Sequence, residues 1–191
     1  MINDFIPREI IEELKEYQEL VLKWNNTINL VSNNSIKDFW SRHIIDSLQL
    51  LQYIDNKDIY LIDMGSGAGF PGMILSIAGI KSVILIESDI RKCAFLKKVA
   101  NRNVQVINQR VEKVKAACEV LTCRAFASLN MIFNYTENIL VKEKFLLLKG
   151  KNYHIELEEA RKNWSFDYSV HKSMTSEEGK ILEIRNLVKI T

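Results

Sequence analysis

Apolar residues recur at Ile10, Leu14, Tyr17, Val21 and Trp24, in steps of three and four that predict an amphipathic helix over residues 10–24. Asn25-Asn26 interrupts this stripe, and residues 27–32 read as a connector. A second helix is predicted over 36–53, with Trp40, Ile44, Ser47, Leu48 and Leu51 on one face and Arg42, His43 and Asp46 as the polar residues that invite a chemical role. After Asp55-Asn56 the pattern shifts to short, continuous apolar runs separated by helical spacings. Ile59-Tyr60-Leu61-Ile62, Val83-Ile84-Leu85-Ile86, Val104-Gln105-Val106-Ile107, Val120-Leu121-Thr122-Cys123 and Phe145-Leu146-Leu147-Leu148 read as strands, the first two buried and the third short. Helices are predicted over 73–78, 89–100, 131–139 and 155–162, and another is expected to begin over 111–117. Residues 166–170 and 181–190 look like two late strands closer to a hairpin than to a further strand–helix unit.

Continuous apolar strands alternating with helices predict an α/β fold with a mainly parallel sheet covered on both faces. Ligands in such sheets sit beyond the carboxyl ends of the strands, near the point where strand order reverses. Asp63, Glu87 and Arg124 each stand where an apolar run stops, which places one candidate site along that edge.

Length and composition narrow the classes. A chain of 191 residues with 47% hydrophobic and 26% charged residues is expected to form one domain around a real core. The N-terminus, acidic early and without a basic stretch before an apolar one, argues against a signal peptide, and no apolar run is long enough to cross a bilayer. Cys93, Cys118 and Cys123 form no C-x-x-C pair, so buried free thiols in a reducing cytoplasm are expected, with neither disulfides nor a metal site. A net charge of +2 means that a nucleic-acid partner would have to be met by basic residues gathered on one face.

Four of the seven glycines fall in L-I-D-M-G-S-G-A-G-F-P-G, residues 61–72, directly after the first buried strand. Gly67, Gly69 and Gly72 match the spacing G-x-G-x-x-G, and Glu87 follows at about the distance of a ribose-binding acid, so an NAD-dependent oxidoreductase stays open on spacing alone. Asp63 before the glycines would repel a pyrophosphate and suit a cationic ligand such as a methionyl amino group. Phe70-Pro71 crowds the turn where a pyrophosphate would lie. Both features favour S-adenosylmethionine. The plainer alternative is a tight strand-to-helix turn with Asp63 capping the helix.

The same stretch, with I-E-S-D-I-R-K-C-A-F-L (86–96), R-V-E (110–112), R-A-F-A-S-L (124–129), L-K-G (148–150), W-N-x-x-x-N-L (24–30) and R-H-x-x-D-S (42–47), resembles the RsmG (GidB) family of bacterial guanine-N7 methyltransferases of small-subunit (16S) ribosomal RNA. The resemblance implies a class I, Rossmann-like methyltransferase with a seven-stranded sheet. It makes 1–191 a single domain, with 1–56 as an N-terminal helical extension and 57–191 as the cofactor-binding core. It implies S-adenosyl-L-methionine as cofactor, with Gly65, Gly67 and Phe70 against it, Glu87 on the ribose hydroxyls, and Val111-Glu112 beside the adenine. Arg124, the arginine of R-A-F-A, is expected to pair with a carboxylate or place the target guanine. Arg42, His43 and Lys149 are substrate-side candidates, with a helix-face ion pair, a satisfied core histidine and a solvated strand-end lysine as their rivals. Basic groups at Arg91-Lys92, Lys97-Lys98 with Arg102, and Lys149 with Lys151 would meet RNA phosphate. The expected partner is small-subunit ribosomal RNA or the 30S particle, met by a cytoplasmic monomer, with a catalytically silent RNA-binding or assembly factor as the other alternative.

Guanine N7 carries a free lone pair, so attack on a sulfonium methyl needs alignment and no general base. The chain has no N-P-P-Y or D-P-P-Y motif for exocyclic amines and no Pro-Cys dipeptide for pyrimidine C5 chemistry.

Overall fold

A computed structural model describes residues 6–190, so the early N-terminal residues 1–5 behind the leader argument lie outside the described part. Its framework is a seven-stranded sheet in the order β3-β2-β1-β4-β5-β7-β6. The strands are β1 Tyr60–Met64, β2 Ser82–Glu87, β3 Val104–Asn108, β4 Ala116–Arg124, β5 Ile139–Lys149, β6 Trp164–Lys172 and β7 Lys180–Lys189. The first five pair in parallel, while β7 runs antiparallel between β5 and β6 as the expected hairpin. Strand order reverses between β1 and β4.

Successive residues of the central strands feed opposite cores. Leu61, Val83, Leu85, Val120, Leu146 and Leu148 pack on one face with the N-terminal helices. Ile62, Met64, Ile86, Leu121, Phe145 and Leu147 pack on the other with Leu129, Phe133, Leu157 and Trp164. Both faces are covered, which is why these strands read as unbroken apolar runs.

Helix α1 spans Arg8–Asn25 and buries Leu14, Tyr17 and Val21, as its stripe predicts. Helices α4 Gly72–Ile77 and α5 Ile90–Val99 follow β1 and β2, the latter capped by Asp89 accepting from the Arg91 and Lys92 amides. Helices α6 Leu129–Tyr135 and α7 Tyr153–Ala160 cover the opposite face.

Three elements depart from expectation. The helix over 36–53 is composite: α2 Asn33–Ile36, a π-helical stretch Trp40–Ile45, α3 Asp46–Leu48 and a 3-10 turn Gln49–Tyr53. The π stretch inserts a residue into the helical register. Phe39, His43 and Gln49 are thereby buried, whereas Trp40 and Leu51 stay half-covered. The helix expected over 111–117 is one 3-10 turn, Val111–Lys113, before β4 begins. The helix expected over 131–139 stops at Tyr135, where Thr136 Oγ1 donates to the Ile132 and Phe133 carbonyls; Ile139 then pairs with Ala116.

The three cysteines are free and buried. Burial pushes the Cys118 and Cys123 thiols up to about 12, so they stay protonated.

Candidate functional site

The glycine loop hangs from the carboxyl end of β1 and is secured to β2. Gly65 and Ser66 amides donate to the Ile86 carbonyl at 2.9 and 3.1 Å, and the Gly67 amide donates to Glu87 Oε2 at 2.9 Å. Glu87 Oε1 accepts from the Asp89 amide at 2.8 Å, so this carboxylate braces the loop and the start of α5 together. Each oxygen retains lone pairs for further donors.

Gly65 adopts φ +68°, and a Cβ there would lie 2.1 Å from Phe126 Cδ2, because the Phe126 ring rests on its α-carbon. At Gly72 a Cβ would lie 2.6 Å from that of Asp63. This crowding reflects what Asp63 does. It is fully buried, and its Oδ2 accepts from the Gly72 amide at 3.0 Å, while Oδ1 has no partner. Burial pushes its carboxyl up to about 7, against the pull of the Gly72 and Ser66 hydrogen bonds and of Arg124. The turn-securing role is therefore the one Asp63 fills, and direct contact with a ligand amino group is not available to it in this arrangement.

Two cavities meet at Gly65 and Gly67. The smaller, about 370 Å³, is bordered by Ile86, Glu87, Val111, Glu112, Met131 and Tyr135, with Phe126 over the loop. Apolar flanks for a flat base, beside carboxylates for hydroxyl and amino groups, make a chamber suited to a nucleoside. The larger, about 810 Å³, is bordered by Phe70, Arg124, Arg42, His43, Asp46 and Lys149 together with the loop between β6 and β7. All ten candidate site residues therefore line one or other of two adjoining chambers.

Between these chambers, R-A-F-A and R-H-x-x-D-S lock together. Arg124 Nη1 donates to the Arg42 carbonyl at 2.6 Å and to Asp46 Oδ2 at 3.3 Å. Its Nη2 lies 2.7 Å from His43 Nδ1, and its guanidinium sits 5.1 Å from the Phe70 ring centroid. An arginine can only donate, so His43 Nδ1 accepts and the ring proton is on Nε2, which is buried without a partner. Burial, with Arg124 and Arg42 alongside, drives His43 down to about 3, so the ring is neutral. It stacks on Phe70 at 4.8 Å with a 17° tilt. The expected carboxylate partner of Arg124 is thus Asp46, in an ion pair between elements and not along one helix.

Lys149 is placed differently from a phosphate contact. Its Nζ donates to the Ala127 carbonyl and to Glu156 Oε2, both at 2.6 Å, and Glu156 Oε2 also accepts from the Leu129 amide at 2.9 Å. The amine is buried and pins the 125–128 turn, where Ala125 has φ 47°. Among the basic groups, Lys92 borders the smaller cavity, Arg91 pairs with Asp89, and Lys97 and Lys98 are exposed on α5.

Sequence reasoning missed two contributors. Tyr17 on α1 donates from its hydroxyl to the Ala68 carbonyl at 2.6 Å, which joins the N-terminal helix to the glycine loop. The β6–β7 loop reaches Asp46 and Gln49 across more than a hundred residues of chain, a separation that leaves no local signal.

No helix of the described residues is long and apolar enough to cross a membrane. A family model described as rRNA small subunit methyltransferase G (GidB) matches residues 10–188. A protein called Ribosomal RNA small subunit methyltransferase G from Rickettsia felis is 64% identical over 188 residues, covering 97% of this chain and 98% of its own. One of the same description from Rickettsia prowazekii is 61% identical over the same shares. Among solved structures, magnesium protoporphyrin IX methyltransferase from Synechocystis, determined with S-adenosylmethionine, superposes with TM-score 0.62 at 14% identity over 88% of this chain and 96% of that one. A DhpI complex with S-adenosylhomocysteine gives 0.59 at 12% identity, over 92% and 96%. At such identities these two bear on the fold alone.

Proposed function

The chain belongs to the GidB family of rRNA small subunit methyltransferases, and from that premise we propose that it transfers a methyl group from S-adenosylmethionine to N7 of a guanine in 16S ribosomal RNA. The observation that carries this reading is the pair of chambers meeting at Gly65 and Gly67, one fit for a nucleoside and the other ringed by R-A-F-A and R-H-x-x-D-S.

Gly65 and Gly67 would let the ligand approach the backbone closely, with Phe70 beneath it. Glu87 would take the ribose hydroxyls on its spare lone pairs, and Val111 and Glu112 would face the adenine edge. When bound, S-adenosylmethionine supplies an electrophilic methyl on a cationic sulfur. Arg124, fixed by Asp46, His43 and the Arg42 carbonyl, holds the wall against which the guanine is set. N7 has no proton to lose, so no residue needs to act as a base. The neutral His43 and the permanently charged Arg124 thereby serve placement.

On this reading residues 57–191 are the cofactor-binding core and 1–56 the helical extension that completes the substrate side. The enzyme works as a cytoplasmic monomer on the RNA or the assembled 30S particle. Tritiated S-adenosylmethionine, incubated with small-subunit RNA or 30S particles lacking the modification, should yield labelled 7-methylguanosine after nuclease digestion. Absence of label in both substrates sinks the proposal, and label in another nucleoside corrects its chemistry.

A further inference from the structure

The loop between β6 and β7, residues 173–179, forms the outer side of the 810 Å³ cavity and takes no part in the nucleoside chamber. It is a built surface. Ser173 N donates to the Gly179 carbonyl at 3.2 Å, the Gly179 amide donates to Ser176 Oγ at 3.1 Å, and Lys180 Nζ donates to the Glu177 and Gly179 carbonyls at 2.8 and 3.1 Å. It is also fastened to the segment that carries R-H-x-x-D-S. Gln49, fully buried, accepts from the Met174 amide at 2.8 Å and donates to Ser173 Oγ at 3.3 Å.

The decisive contact is at Asp46. Its Oδ1 accepts from Thr175 Oγ1 at 2.7 Å and from Gln49 Nε2 at 2.8 Å, while its Oδ2 faces Arg124 Nη1 at 3.3 Å. One carboxylate therefore fixes the cavity's inner arginine and its outer loop at once. A stability role alone would not require the loop to meet the same carboxylate as Arg124. The face it presents carries the Ser173 and Ser176 hydroxyls and the Lys180 amine beside the Glu178 carboxylate, the Thr175 proton being given to Asp46. Its O–H and N–H groups suit phosphate oxygens, which only accept, and the face as a whole suits 2′-hydroxyls, which donate and accept.

We propose that the 173–179 loop is the wall that holds the RNA strand on either side of the target base. Asp46 is the positioning residue that sets the distance from this wall to Arg124. The inference rests on the methyltransferase reading above and adds to it a specificity surface.

The test measures methyl transfer to unmodified 30S particles together with S-adenosylhomocysteine affinity by calorimetry. T175V removes a hydrogen bond to a charged group and should raise KM for the particle about tenfold. Its affinity for S-adenosylhomocysteine should stay within about twofold, since neither Thr175 nor Asp46 lines that chamber. T175S, which retains the hydroxyl, should behave as wild type. D46N should raise KM and also lower kcat, because Arg124 loses its charged partner. S176E, at an exposed position, should raise KM by repelling phosphate, with urea unfolding run alongside to register any cost of replacing the Gly179 amide's acceptor. The proposal is overturned if T175V or S176E leaves KM unchanged, or if T175V weakens S-adenosylhomocysteine binding as much as it raises KM. A wild-type protein that transfers no methyl would reveal failure of the function reading itself, and the loop assignment would fall with it.

Discussion

Gly65 is the residue at which backbone and ligand requirements coincide. With φ at +68° and the Phe126 ring on its α-carbon, Gly65→Ala combines a left-handed L-residue with a direct clash. The left-handed conformation alone costs about 1–2 kcal/mol. Urea unfolding should show at least that loss, and calorimetry should show S-adenosylhomocysteine affinity down more than about tenfold, one decade per 1.4 kcal/mol. Asp63 leads to a pH effect of defined sign. Its folded value of about 7 lies above the unfolded value of about 3.9, so between these limits the folded chain retains a proton that the unfolded chain has released. Stability contributed here is present below pH ~4, declines as pH rises, and is gone above about 7. In Asp63→Asn that decline should vanish from the urea midpoint measured between pH 4 and 8, while an acceptor for the Gly72 amide remains.

At the scale of elements, α1 is part of the site because Tyr17 reaches the glycine loop. Burial holds the Tyr17 hydroxyl far above its ordinary range, so it remains a donor at every working pH. Tyr17→Phe leaves the Ala68 carbonyl without its partner and should cost about 1–2 kcal/mol in urea unfolding. A few-fold loss of S-adenosylhomocysteine affinity should accompany it as the loop loosens. Elements governed by one strong local pattern were legible in the sequence: the stripe of α1, the five apolar strands, the glycine turn and the acid ending β2. What escaped depended on competition between local and tertiary preferences. Residues 111–117 read as the start of a helix, yet the chain pairs from Ala116 with Ile139 of β5 instead. The π stretch at 40–45 was invisible because the inserted residue shifts burial without altering composition. Lys149 and Arg124 are both strand-end cations, and only the fold shows that the first faces Glu156 and pins a turn while the second faces Asp46 and the cavity.

For the whole molecule, near-balanced charge sets how RNA is met. A protein with net charge +2 has little long-range attraction for a polyanion, so affinity must come from a limited set of phosphate contacts. KM for the RNA substrate should therefore rise steeply between 50 and 200 mM salt, linear on logarithmic axes, while S-adenosylhomocysteine affinity stays nearly flat. A flat KM over that range would place recognition in uncharged contacts instead. The sheet order has a further consequence for synthesis. Strand β7 is made after every other strand and yet lies inside the sheet, between β5 and β6. A chain emerging from the ribosome leaves β5 with an open edge, and Asp46 without its Thr175 partner, until those late residues appear. The larger chamber is thus completed only once residues 173–189 have been made, because its outer loop and the strand that follows it come last among the described strands.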